Sequence, residues 1–295
     1  MTNATLVKAL LEKGSGLRAG DDFHLGYSPE RIDPGNPVWR LTNTPKVVAG
    51  VDERSLEAVQ NLYQTLVDRV IPVSGTREAE MTKLLENTFR HVNITLVNEF
   101  AMVAHELRID IWEVLDAAAS KPFGFLKFTP GPGVGGHCLP VDPSYLSWEV
   151  KRSLDRPFRF IELANEVNSH MPTYVVRRTA EALNRQSKSL NGARVLLLGL
   201  SYKKNSGDCR QSPAIRVAQL LHEQGARLRG VDNHVEPSRV ASIVELVSLT
   251  SDQVAEADIA LILTDHDDVD YDLLDKCAQV LDTRCRLGSA AVDTL

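Results

Sequence analysis

The sequence predicts an α/β protein in three parts: a short α/β segment, a helical centre and a parallel-sheet domain. Three observations carry that reading. From residue 193 onward, buried-strand runs alternate with amphipathic helical patterns, as a parallel sheet covered on both faces requires. Between 76 and 119, apolar residues recur every three or four positions, the spacing of a helix stripe. Before them, a few short extended runs surround a single amphipathic helix.

The composition allows such a molecule and narrows its partners. With 295 residues the chain is long enough for two domains, and 43% apolar residues suffice for a sizeable core. A net charge of −6 with both signs interspersed argues against nucleic acid or an anionic membrane as the main partner. The apolar runs Ala193–Leu200 and Ala257–Leu263 are too short to span a bilayer. Met1–Gly14 has no uninterrupted apolar region of a signal peptide. Cys138, Cys209, Cys277 and Cys285 show neither CxxC spacing nor the density of a disulfide scaffold, which fits a reducing cytoplasm.

In chain order, Leu6–Leu11 is helical in pattern, and Phe23–Tyr27, Lys46–Gly50 and Val70–Val73 are extended, with a helix over Leu56–Val67. These strands are too few to cover their helices, so residues 1–75 read as the last part of an α/β domain. Between them, Ser28–Gly35 is a loop that fixes Glu30 between Pro29 and Pro34; alone, it is a solvated loop acid. Thr76 is placed to cap the next helix, with Glu78 and Glu80 in its first turn. Met81, Leu84, Leu85, Phe89, Val92, Leu96, Val97, Phe100 and Val103 form its expected buried stripe. Lys83 and Asn87, four apart, share a face that is ordinarily wet. Asp110 followed by Glu113 starts a second helix, ending at Ala117–Ala119. A long striped helix of this kind could pack against its copy in a dimer.

The stretch around which the chain is organised is Thr129–Pro143, TPGPGVGGHCLPVDP. Gly131, Gly133, Gly135 and Gly136 make a tight loop that lets backbone approach a ligand, with Cys138 at its end and Asp142 four residues on. A thiol there is placed for chemistry rather than packing. Gly131–Gly136 matches G-x-G-x-x-G formally, but prolines occupy the turn and His-Cys-Leu-Pro replaces a helix start, so it is not read as a dinucleotide fingerprint. His137 and Cys138 are poorly spaced for a hydrolase pair, and they lack the spaced partners of a zinc site. No metal is expected.

Phe160–Leu183 is helical, with Pro172 a kink, and a polar boundary falls near Gln186–Asn191. Strands follow at Ala193–Leu200, Ala226–Val231, Ile243–Val247, Ile259–Leu263 and Ala278–Leu281, with a helix over Pro213–Gln224. Open α/β sheets bind ligands beyond their strand C-termini. There lie Ser201–Asn205, Asp208–Pro213 and Asp282–Arg284, whose basic residues suit a phosphorylated ligand as well as they suit solvent.

Taken together, YSPERIDPGN, EMTKLLENTFRHVNITLVNE, PGPGVGGHCLPVDP, GLSYKKNSGDCRQSPA, LTDH and DTR resemble the UDP-glucose/GDP-mannose dehydrogenase family over nearly the whole chain. The GGHCLPVD form, with FIELANEVNSHMP, is most similar to the UDP-N-acetylhexosamine branch; the other branches more usually carry Ser where His137 stands. The resemblance implies three segments. Residues 1–75 would be the C-terminal part of an NAD-binding Rossmann domain, 76–188 a central dimerising helical region with the cysteine loop, and 189–295 a UDP-sugar-binding Rossmann-like domain. It implies oxidation of the sugar C6 alcohol to a carboxylate by two NAD, through a thiohemiacetal and a thioester on Cys138.

Lys83 and Asn87 would favour the thiolate and stabilise the oxyanion, Glu30 would activate the hydrolytic water, and Asp142 would assist proton transfer. Tyr202, Lys203 and Arg284, with Gly135 and Gly136, would hold the nucleotide sugar, and Lys121 would reach it across a dimer interface. Arg210, with Glu30 and Cys138, would face the cofactor. The chain shows no strand–GxGxxG–helix before these residues, so roughly a hundred residues of the first domain are expected to be missing. Two alternatives stand beside this reading: a remnant that binds nucleotide sugar or dimerises without oxidation, and a UDP-glucose 6-dehydrogenase.

Overall fold

The computed structural model describes residues 6–33, 36–136, 138–288 and 292–295; of Cys138 and Pro140 only the backbone is described. The chain forms two compact units, 1–87 and 88–295.

In the first unit, strand β2 (Lys46–Gly50) pairs parallel with β3 (Val70–Pro72) and antiparallel with β1 (Gly26–Tyr27). Helix α1 (Lys8–Ser15) buries no residue. Helix α2 (Glu53–Gln64) follows β2 and packs on all three strands. It starts, three residues before the expected Leu56 boundary, where the Asp52 carboxylate accepts the Ser55 N–H. The apolar core is small: Val47, Ala49 and Ala79, with Tyr27, Ile71 and Val73 packed against it.

Helix α3 (Thr76–Glu106) has its first three turns in this unit and the rest of its length in the second. The Ala79 N–H bonds the Gly75 carbonyl, so Gly75, not Thr76, stands at the cap position. The expected buried stripe is corrected more deeply. Met81, Leu85, Phe89, Leu96, Phe100 and Val103 are exposed, and of the nine stripe residues only Val97 is buried. The face turned inward carries Thr88, His91, Thr95 and Asn98, each less than 10% exposed, together with Ala101 and Ala104. Periodicity located the helix correctly and inverted its faces, because His91, Thr95 and Asn98 have hydrogen-bond partners waiting on another helix.

Helix α4 (Ile111–Ala119) is capped as expected by Asp110, whose side chain accepts the N–H groups of Trp112 and Glu113. Helix α5 (Cys138–Leu154) begins at the cysteine itself. The expectation that no helix starts there is therefore wrong, although no strand precedes Gly131. Prolines near a helix start are tolerated because N–H groups of the first turn have no intrahelical acceptor. Helix α6 (Arg159–Arg185) runs through Pro172 as one element.

The remaining chain builds a six-stranded, wholly parallel sheet from β4 (Arg194–Leu198), β5 (Arg227–Val231), β6 (Glu245–Leu246), β7 (Ile259–Ile262), β8 (Val280–Asp282) and β9 (Asp293–Thr294). The order β6-β5-β4-β7-β8-β9 is doubly wound, with its switch point between β4 and β7. Alternation along β4 shows the two faces. Val195 and Leu197 join the core under α6 and α7 (Pro213–Glu223), whereas Leu196 and Leu198 join the core under α8 (Ser251–Glu256). All four are at most 2% exposed, as a strand covered on both faces demands.

Candidate active site

The expected site residues fall in two assemblies, one in each unit. In the first, Glu30 is held from three sides. Its Oε1 accepts the Ile32 N–H at 2.8 Å, its Oε2 meets the Lys46 ammonium at 3.1 Å, and its backbone carbonyl accepts from Lys83 Nζ at 2.7 Å. Burial pushes the Glu30 carboxyl up, but the Ile32 and Lys46 hydrogen bonds outweigh it and hold the group below the usual range. Arg31 grips Glu86 of α3 through Nε at 3.1 Å and Nη2 at 2.6 Å, and its Nη1 donates to the Pro45 carbonyl at 2.7 Å. The loop carrying Glu30 is thereby tied to the helix carrying Lys83 and Asn87, which lie one turn apart on α3. Pro34 and Gly35, the far end of that loop, lie outside the described residues. Sequence reasoning missed Lys46, which opens β2 and is 6% exposed; a lysine heading a buried strand run was the available signal.

In the second unit, the glycine loop lies on the C-terminal ends of the sheet. A Cβ on Gly135 would stand 2.6 Å from Tyr202 Cβ and 2.8 Å from both the Gln211 carbonyl oxygen and Pro213 Cδ. Gly136, at φ 82°, presses on the Tyr202 ring, and Gly131 abuts the Arg284 guanidinium. The glycines are therefore needed for close approach as well as for turning. The Gly136 N–H donates to the Arg210 carbonyl at 3.2 Å, a contact made possible where Gln211 takes a left-handed φ of 51°. Gly135 and Gly136 thus lie against Tyr202, and Gly131 lies against Arg284.

The Arg210 side chain grips Asp208, at 2.6 Å from Nη2, which keeps that carboxyl below its ordinary range. Arg284 Nε donates to Asp265 at 3.4 Å, and Lys204 reaches Asp265 at 3.7 Å and Asp267 at 2.6 Å. Lys203 is half-buried beside them in sequence. Lys121 is exposed just past α4, its ammonium over the Phe123 ring at 5.0 Å. Asp142 lies on α5 one turn beyond Cys138. His137 and the Cys138 side chain lie outside what is described.

A dinucleotide pyrophosphate needs free N–H groups at a helix start. At the β2–α2 turn the Asp52 carboxylate already caps the helix and would repel phosphate, so that turn does not fit. After β4, Asp232 Oδ2 accepts the N–H groups of Leu200 at 2.7 Å and Ser201 at 3.1 Å, while α7 starts only at Pro213, where Ser212 makes no side-chain cap.

Asp232 also accepts from His234 and Val235 N–H groups and meets His266 Nε2 at 3.1 Å. Burial opposes its charge, yet these hydrogen bonds bring its carboxyl down to about 2. His234, His266 and Asp268 offer ligand-type atoms within 4.8 Å of one another. Both nitrogens of His266 are engaged, Nδ1 by the Asn205 N–H at 2.9 Å, so this cluster is a hydrogen-bonded brace.

A doubly wound domain with a glycine loop and basic side chains at its strand ends defines a nucleotide-ligand protein of Rossmann type. Comparison with known proteins places it further. Three domain models of the UDP-glucose/GDP-mannose dehydrogenase family match: the NAD binding domain at 1–67, the central domain at 77–170 and the UDP binding domain at 196–288. The UDP-N-acetyl-D-mannosamine dehydrogenase of Pyrococcus horikoshii is 36% identical, over 87% of this chain and 58% of its own. Protein CapL of Staphylococcus aureus is 36% identical, over 95% of this chain and 67% of its own. The solved UDP-N-acetyl-mannosamine dehydrogenase of S. aureus superposes with a TM-score of 0.81 at 32% identity, over 99% of this chain and 67% of that one. The chain belongs to the UDP-glucose/GDP-mannose dehydrogenase family and spans between about half and two thirds of the length of these relatives. NAD is the cofactor that this membership implies.

Proposed function

We propose that the chain serves the oxidation of a UDP-N-acetylhexosamine at C6 to the uronic acid. The observation that carries this reading is the seating of the 131–136 loop on Tyr202 and Arg284, at the sheet ends of the segment that matches the UDP binding domain. The uridine diphosphate would lie against Tyr202, with Lys203 and Arg284 meeting its charge. That places the sugar toward the loop, at whose end Cys138 opens α5, where the helix N-terminus favours negative charge on sulfur.

In this reading NAD, when bound, takes up the hydride lost in each of two oxidations. Cys138 adds to the C6 aldehyde left by the first, and the resulting thiohemiacetal becomes a thioester in the second. Glu30, ionised by its Lys46 and Ile32 contacts, takes a proton from the water that releases the acid and returns the thiol. Lys83 and Asn87 stabilise the oxyanion, and Asp142 passes the proton. The exposed apolar face of α3 supports a homodimer through that helix, with Lys121 serving the neighbouring copy.

The test is titration calorimetry of the purified chain with UDP-N-acetylglucosamine, UDP-N-acetylmannosamine and UDP-glucose, then with NAD. Binding of an N-acetylhexosamine nucleotide and NAD-dependent turnover abolished by Cys138→Ala is the expected result. Preference for UDP-glucose, or turnover unaffected in Cys138→Ala, overturns it. The capped β2–α2 turn favours a second reading, a chain that holds nucleotide sugar without oxidising it. Sugar-nucleotide binding with no NAD uptake selects that one.

A further inference from the structure

The polar residues on the inward face of α3 form a directed chain of hydrogen bonds that reaches both sides of Cys138. It begins at the loop, where the Gly131 N–H donates to Asn98 Oδ1 at 2.9 Å. That bond fixes the amide's orientation, so Asn98 Nδ2 donates to Asn168 Oδ1 on α6 at 2.8 Å. Asn168 Nδ2 in turn donates to Thr95 Oγ1 at 2.7 Å and approaches His91 Nδ1 at 3.4 Å. With Nδ1 accepting, the His91 proton sits on Nε2 and is donated to Asn165 Oδ1 at 2.9 Å. Asn165 Nδ2 then donates to Ser144 Oγ on α5 at 3.3 Å.

Every amide orientation follows from its neighbour, and no second arrangement satisfies all the groups. Burial favours the neutral imidazole that the chain requires and lowers the His91 pKa, against the Asn165 contact that raises it. Pro172, four residues past Asn168, has no N–H to offer the Asn168 carbonyl, and that oxygen lies 3.1 Å from where a Gly133 Cβ would stand. The same α6 residue therefore meets the loop a second time.

We propose that this buried chain is a clamp, with Asn98 and Thr95 as positioning residues that fix the Gly131–Gly136 loop and the start of α5 for chemistry at the thiol. The proposal rests on Cys138 being the reacting group. Its test, however, reads the loop itself, so that a failure of either idea shows separately.

Hydrogen exchange of the intact chain is followed by mass spectrometry, with the alkylation rate of Cys138 by iodoacetamide measured against Cys277 in the same molecule. Asn98→Ala should speed exchange in 129–136 by about tenfold, the factor that one lost hydrogen bond is worth. It should also change the Cys138 to Cys277 rate ratio, leaving the strands β4 and β5 protected. Thr95→Val, which removes the hydroxyl at nearly constant volume, should do the same more weakly, and Thr95→Ser should restore the parent behaviour. If Asn98→Ala does not fold, the Thr95 pair decides alone. Unchanged loop exchange and rate ratio in Thr95→Val, or equal effects of Val and Ser, overturn the clamp. A clamp verified in a chain whose turnover survives Cys138→Ala would instead remove the catalytic reading of the thiol.

Discussion

The two units hold their site residues by different means. The C-terminal sheet buries runs of Leu, Ile and Val on both faces, and its candidate site loops ride on the ends of close-packed strands. The apolar cluster of the first unit has three buried residues, and its loop is tied down by polar contacts: Arg31 on Glu86, Lys46 on the Glu30 carboxylate and Lys83 on the Glu30 backbone carbonyl. The contrast teaches that a loop carboxylate can be placed by ion pairs and hydrogen bonds where packing is thin, at the cost of sensitivity to pH and to single charge changes.

The largest test of that contrast is Asp232→Ala. It leaves buried N–H groups and His266 without their acceptor, and should destabilise the sheet domain by about 3–5 kcal/mol in denaturant unfolding. Leu197→Ala, at a fully buried strand position, should cost about 2–5 kcal/mol by the same measurement. Val47→Ala in the small core should cost less, about 1–2 kcal/mol. Equal losses for the two apolar truncations would erase the distinction between the units.

The pH dependence sharpens it further. His91 and His105 have folded pKa values below 6.5, through burial first, so the unfolded chain binds more protons as pH falls past that value. Their stabilising contribution is complete above pH 6.5 and is lost progressively below it. Thermal melts should therefore fall on acidification, and His91→Gln should flatten part of that fall; an unchanged slope refutes the assignment. Asp232 acts in a lower window, its contribution present above about pH 4 and lost toward pH 2. Smallest of all, Arg152→Ala at an exposed pair with Glu149 should leave the thermal midpoint essentially unchanged.

Much of this architecture was legible because local signals and burial agree there. Asp110 caps its helix through its own side chain, and the buried strands after residue 193 announce themselves as short apolar runs. The glycines around Cys138 pointed to close backbone approach, and Tyr202, Gln211 and Arg284 are what they approach. The start of α5 was hidden because Pro140 falls in its first turn, which tolerates proline, and Pro143 lies inside the helix, where proline ordinarily argues against one. The inverted face of α3 was hidden for a different reason. Polarity predicts which side meets water only when the polar groups have no partners inside the fold, and His91, Thr95 and Asn98 have them. Their spacing of four and three was visible in the sequence. Their partners on α6, about seventy residues away, were not.

The Gly136 N–H and the Arg210 carbonyl meet through main chain alone, so this joint is silent to side-chain mutagenesis. Replacing Gly135 or Gly136 with alanine would report steric overlap with Tyr202 and Gln211 rather than the value of the bond. Selection faces the same restriction: it can retune this joint only by altering the neighbouring backbone, as at the left-handed Gln211, and not by exchanging the groups that touch. An ester in place of the Gly136 amide, introduced by semisynthesis, would delete the donor while adding no atom to the crowded loop.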